Sequence, residues 1–193
     1  NSMYNPNTTD DQEEMFDIVD KEDCVIGQAT RQQVHHDPSL IHRAVGVFVF
    51  NTKKQLLMQK RSKTKDMFPG YWVFSVGGHV HTGDTYDNTV KREVVEELGI
   101  SFPVKLYKKF LEPSDGETEY CATYLAVHNG PFPNFNSTEA DEVRFFDVDE
   151  LIKSRNASTL PFPPTVKGLL PMVKELALSK KLDALIAQYD RAG

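Results

Sequence analysis

Long apolar runs, a basic excess and cysteines are all scarce in this 193-residue chain, and each scarcity removes a class of protein. The longest apolar stretch, Val45 to Phe50 with Gly46 inside it, falls far short of the ~20 residues a membrane-spanning helix needs. No charged-then-apolar leader opens the chain, so secretion is not expected and a cytoplasmic location is. Cysteine occurs only as Cys24 and Cys121, too few for a disulfide framework and suited to a reducing compartment. The 22 Lys and Arg are outweighed by 28 Asp and Glu, for a formal net charge of −6. Such a balance offers no broad basic face to nucleic acid, so neither nucleic acid nor membrane is an expected partner. One polyphosphate ligand stays open, because a metal ion supplies positive charge locally. With 39% hydrophobic and 26% charged residues, the chain suits one globular domain, with or without a small appendage.

Asn1 and Ser2 ahead of Met3 read as a tag remnant, and residues 1–13 as a frayed polar arm. Met15–Val19 and Cys24–Ile26 are strand candidates about a polar turn, and Thr30 to His36 suits a helical turn ended by Asp37-Pro38. Arg43–Phe50 and Gln55–Lys60 form the clearest hairpin, around Asn51-Thr52-Lys53-Lys54. Tyr71–Val76, Val104–Leu111, Tyr120–Val127 and Glu142–Phe146 are further strands. Thr85 to Leu98 has helical periodicity closed by Gly99, and Asp147–Leu151 begins a short helix. Three prolines mark 158–164 as a linker; the tail from Thr165 is helical, started or kinked by Pro171. Strands with few helices predict an α+β sandwich, a mixed sheet with flanking helices.

The helix ending at Gly99 holds the chemistry. At 3.6 residues per turn Val90, Val94 and Leu98 share one side, and Glu93, Glu96 and Glu97 share the neighbouring arc. Like charges so spaced repel. They are either a solvated acidic face or oxygen ligands for a hard divalent cation. The flanking Gly77-Gly78, placed straight after a strand, marks a close backbone approach.

From Gly78 through Asp84, Arg92-Glu93-Val94 and Glu96-Glu97 to Gly99-Ile100, the sequence resembles the signature of the Nudix hydrolases. It departs at one position, where Asp84 replaces the signature's first Glu. The resemblance implies a Nudix-type α/β/α sandwich at 14–156, a linker at 157–164, and a C-terminal helix at 165–193 packed on the domain or at a homodimer contact. It also implies Mg²⁺ or Mn²⁺ held by Glu93, Glu96 and Glu97, with Arg92 orienting the acidic group. One of these glutamates helps activate water. The shorter Asp84 is expected to brace the loop less firmly without loss of metal.

The run Met67 to His79 further resembles the type 1 isopentenyl-diphosphate isomerases, a branch of the same fold. That likeness implies a separate metal site from His35, His42, His79, Glu117 and Glu119; Glu119 equally suits the extra carboxylate many Nudix enzymes add to the helix site. Surface or hydrogen-bonding histidines are the other reading, and adjacent His36 leaves the register open. Where the isomerases place a catalytic cysteine stands Gly77, which has no proton to move, whereas the hydrolase signature is nearly intact. The expected activity is therefore diphosphate hydrolysis, on a nucleoside-diphosphate-linked or small organic diphosphate. An isomerase-like enzyme and a non-catalytic ligand-binding scaffold are the alternatives. Lys60, Arg61 and Lys65 are either a solvated basic run or phosphate contacts, and Trp72 is either core or substrate lid. Gly78 completes the expected substrate contacts. Substrate choice is assigned to the loops 113–116 and 130–138.

Overall fold

The computed structural model describes residues 4–114 and 116–193. β1 (Met15–Val19) and β2 (Val25–Thr30) form a hairpin. In α1 (Arg31–His36) the Thr30 hydroxyl and the Gln33 side chain cap each other's backbone N–H. β3 (Ile41–Phe50) and β4 (Leu56–Arg61) flank a turn in which the Asn51 side-chain oxygen accepts from the Lys53 and Gln55 N–H groups. There follow β5 (Trp72–Phe74), β6 (Val76–His79), α2 (Tyr86–Leu98), β7 (Lys105–Ser114), β8 (Glu117–Val127) and β9 (Ala140–Phe146). Three helices close the chain: α3 (Val148–Ala157), α4 (Pro164–Ala177) and α5 (Lys180–Ala192).

β3 organises the mixed sheet. One edge runs parallel to β8 along its whole length. Its other edge passes from β1 at Ile41 and His42 to β6 at Ala44–Val47, and reaches β4 only at Phe50↔Leu56. Beyond that pair β4 departs to bond β5 and β9. Alternation along β3 decides the layers. Val45, Val47 and Val49 pack with Val90, Val94 and Leu98 of α2, while Phe48 and Phe50 pack with Leu170, Val173 and Leu182 of α4 and α5. Helices on both faces of a mixed sheet make the expected sandwich.

Three segments differ from expectation. The tail is two helices, and its break lies not at Pro171, which sits inside α4, but at Leu178-Ser179, where the Ser179 hydroxyl accepts from Leu182 N–H to cap α5. In the proline-rich linker, Phe162 is buried in the core and the Pro161 carbonyl accepts from Trp72 N–H. Residues 4–13, read as a frayed arm, lie along the loop 62–66: Asn5 N–H donates to the Asp66 carbonyl and Thr9 N–H to that of Thr64. Asp10 accepts from Asp66 N–H and from Lys65 Nζ, both at 2.8 Å.

Candidate active site

Local chemistry sets the limits of α2. The Thr85 hydroxyl accepts from Asn88 N–H at one end, and Gly99 takes φ 73° at the other. The valine and leucine stripe is buried, which turns Glu93 and Glu97 of the acidic arc toward β6. Glu97 is only 6% exposed, whereas Glu96 points outward. Burial, and then the charge of Glu93, raise the Glu97 carboxyl well above its ordinary range. Burial likewise raises Glu93. Gln59 Nε2 donates to Glu97 Oε1 at 2.7 Å, while the buried Oε2 has no hydrogen-bond partner. A buried and a partly buried carboxylate side by side, with an unsatisfied oxygen, fit a divalent cation, because like charges are otherwise costly to bury.

Gly78 fits this arrangement by lacking a side chain. A Cβ built there would lie 2.6–2.8 Å from Cδ, Cγ and Oε2 of Glu93. The shorter Asp84 still makes its brace: Arg92 Nη1 donates to Asp84 Oδ2 at 2.5 Å, and Thr85 N–H donates to Oδ1.

These glutamates face a cleft of about 550 Å³. Asp10, Asp11, Glu14, Glu119 and Glu139 add negative charge to it. Its cations are Arg31 and Lys65, and both already pair with carboxylates: Lys65 Nζ lies 2.8 Å from Asp10 and 2.9 Å from Glu139. A cleft so acidic receives an anionic ligand only together with added cations.

A second cluster lies beside the first. His42, His79, Glu117 and Glu119 each offer one ligand atom, all within 4.8 Å of one another. Strand register brings them together, since His42 pairs with Glu119 across β3 and β8, and Ala44 pairs with His79 across β3 and β6. His42 is fully buried without a hydrogen bond at either ring nitrogen, and its Nε2 stands 3.5 Å from Glu119 and 3.6 Å from Glu117. Burial lowers His79 to about 3, so it is a neutral imidazole with a lone pair to offer. Two imidazoles and two carboxylates suit a borderline metal such as Zn²⁺ as well as Mg²⁺ or Mn²⁺.

His35, not His36, faces this cluster. Its Nε2 donates to the buried Asp66 at 3.0 Å, which leaves Nδ1 against Glu117. Carboxylate–histidine pairs of this kind orient metal-ligating imidazoles. Burial alone would raise the Asp66 carboxyl, but hydrogen bonds from His35 and Arg31 hold it far below the ordinary range. Asp66→Ala is expected to cost about 3 kcal/mol in urea unfolding, the low end for a broken buried pair because Glu14 still reaches Arg31 at 3.2 Å. An unchanged midpoint would show that the pair does not hold the loop.

The family model for the NUDIX domain matches residues 40–165, more than half of the chain. The chain belongs to the Nudix family. A similar protein, the uncharacterized Nudix hydrolase YfcD of Escherichia coli K12, is 30% identical over 176 residues, covering 91% of this chain and 95% of that one. An isopentenyl-diphosphate Delta-isomerase of Photorhabdus laumondii is 32% identical over 148 residues, covering 74% and 81%. A crystal structure from Deinococcus radiodurans matches with a TM-score of 0.71 at 27% identity, covering 83% of this chain and 99% of that one. The sandwich is thus a Nudix fold, and the chain is an enzyme of the Nudix hydrolase kind, a class that cleaves pyrophosphate bonds with a divalent metal. Among the described residues no helix is long and apolar enough to cross a membrane.

The remaining expected contacts scatter in the Nudix fold. Trp72 is core, 4% exposed, edge-on to Phe146 and under the Arg144 guanidinium. Lys60 lines none of the described cavities. Arg61 lines a smaller cavity of about 110 Å³ beside His35 and Glu117, its Nε donating to the Met67 carbonyl. Lys65 reaches the main cleft but is bound to two acids there. Glu119 lies with the histidines and also lines the main cleft, and Glu139 lines that cleft too, where its charge bears on both Glu93 and Glu97. The loop 130–138 does not line the cleft, and 113–116 includes Asp115, outside the described residues. Residues 9–11 and the start of α4 line it instead. Gln59 had a legible signal, a polar residue on the same strand face as Leu57; Glu139 had none.

Proposed function

We propose that this protein hydrolyses a diphosphate bond in a nucleoside-diphosphate-linked or small organic diphosphate, with Mg²⁺ or Mn²⁺. The observation that carries this reading is the buried Glu97 beside the partly buried Glu93 at the cleft, with Glu97 Oε2 unsatisfied. A divalent cation held by Glu93, Glu96 and Glu97 supplies neutralising charge to the phosphate oxygens and Lewis acidity toward water. Glu139 joins this group in place of Glu119. Water oxygen attacks phosphorus, a bridging P–O bond breaks, and its electron pair leaves with the bridging oxygen. The water proton passes to a cleft carboxylate. Arg61, lacking a carboxylate at ion-pair distance among the described residues, is the better phosphate contact of the basic run. Two cysteines not bonded to each other suit the cytoplasm.

The histidine–glutamate cluster favours one second reading, proton exchange of the isomerase kind, although Gly77 offers no acid. A panel of nucleotide sugars and organic diphosphates, isopentenyl diphosphate included, assayed with Mg²⁺ or Mn²⁺, tests both. Release of phosphate or nucleoside monophosphate, stopped by a chelator, is expected. Allylic isomerisation without phosphate release would establish the second reading, and tight binding with neither reaction would make the fold a scaffold.

A further inference from the structure

The separation of β3 from β4 creates a problem in backbone bonding that two side chains solve. Past Phe50↔Leu56 the two strands no longer face each other. Ser75, between β5 and β6, fills the first gap: its hydroxyl accepts from Val49 N–H at 2.9 Å and donates to the Leu57 carbonyl at 2.6 Å. One step along β4 on the same face, Gln59 fills the next. Its Nε2 donates to the Ser75 carbonyl at 3.2 Å and to Glu97 Oε1 at 2.7 Å. Both neighbours are acceptors, so the amide nitrogen and not its oxygen must face them.

We infer that Gln59 is a positioning residue for the α2 metal site, holding one oxygen of Glu97 so that the other is presented to the cleft. The inference rests on the metal role proposed for Glu97. Gln59 is 5% exposed, and a buried amide is retained at a cost in desolvation unless its hydrogen bonds are made. An amide also donates without neutralising its partner. Lysine or arginine here would compete with the cation for Glu97, and a second carboxylate would repel it. From the backbone Glu97 has little other support, since Gly77 N–H lies 3.5 Å from the same Oε1. Bound at Oε1 and unsatisfied at Oε2, Glu97 keeps its rotamer with one oxygen left to a cation.

The test is Mn²⁺ binding to the full chain, followed by calorimetry and by the electron paramagnetic resonance of free Mn²⁺. The Mn²⁺ equivalent that Glu97→Gln removes defines the site. Gln59→Met keeps the length without the donor; Gln59→Asn keeps the amide but falls short of Glu97. Both are expected to bind that equivalent about tenfold more weakly. Turnover in both should return toward wild type as Mn²⁺ is raised, which a merely structural role would not produce. Wild-type affinity in either folded variant would overturn the inference, as would a loss of turnover that saturating Mn²⁺ does not restore. Should Gln59→Met fail to fold, the smaller and still polar Asn variant carries the same two readouts. If Glu97→Gln leaves Mn²⁺ binding intact, the helix site itself falls rather than the part Gln59 plays in it.

Discussion

Glu97→Gln should turn over substrate at least about a hundredfold more slowly than wild type, with the fold intact. The substitution keeps the shape and the oxygen that Gln59 bonds, and replaces only the unsatisfied Oε2 with an amide nitrogen that has no lone pair for a cation. Metal-free stability should move the other way. Burial, then Glu93, raise the Glu97 carboxyl well above 4.5, so the folded chain binds more protons than the unfolded one. That contribution is present below the ordinary glutamate range and is lost as pH rises through the raised value. In urea with a chelator, wild type should therefore weaken as pH climbs above 4.5 through the raised value, and Glu97→Gln should show a smaller slope. Wild-type turnover in the variant would remove Glu97 from the mechanism. A parallel pH slope would remove the buried charge.

Gly78→Ala should also be damaging, for a steric reason alone. The added methyl meets Glu93 at 2.6–2.8 Å, too close for any real contact. Backbone does not have to yield, because the obstructed group is the end of a flexible side chain. Glu93 should leave its position, and turnover and Mn²⁺ affinity should fall by about tenfold or more while the melting temperature changes little. The substitution one residue earlier is the internal comparison, since a Cβ on Gly77 meets only the Val45 carbonyl at 3.8 Å. Equal effects at the two positions would show that general distortion of β6, and not the displacement of Glu93, is at work.

Much of this site was legible because its information is local. Gly78, Asp84, Arg92, Glu93, Glu96 and Glu97 lie within one loop and one helix, where periodicity and caps specify both the element and the shared face. Alternation likewise placed Glu117 and Glu119 on one side of a strand. Where the local pattern left alternatives open, a distant partner decided. Trp72 became core because Phe146 and Arg144 of β9 close over it, and Lys65 was drawn to Asp10 and Glu139. The break in the tail lies at Ser179 because a hydroxyl cap starts a new helix there, whereas Pro171 is accommodated within α4.

The sequence by itself determined the Nudix signature, the acidic arc and the sandwich, all carried by spacing over a few turns or one strand. Tertiary structure alone decided which carboxylates share a cleft. Glu139 and Glu119 share the cleft of Glu93 and Glu97, Glu119 also meets His42 and His79, and residues 9–11 line the opening. Those meetings depend on the register of β3 against β8 and β6, and on where β4 leaves β3. Strand register is a long-range agreement among segments far apart in the chain, and no local spacing records it.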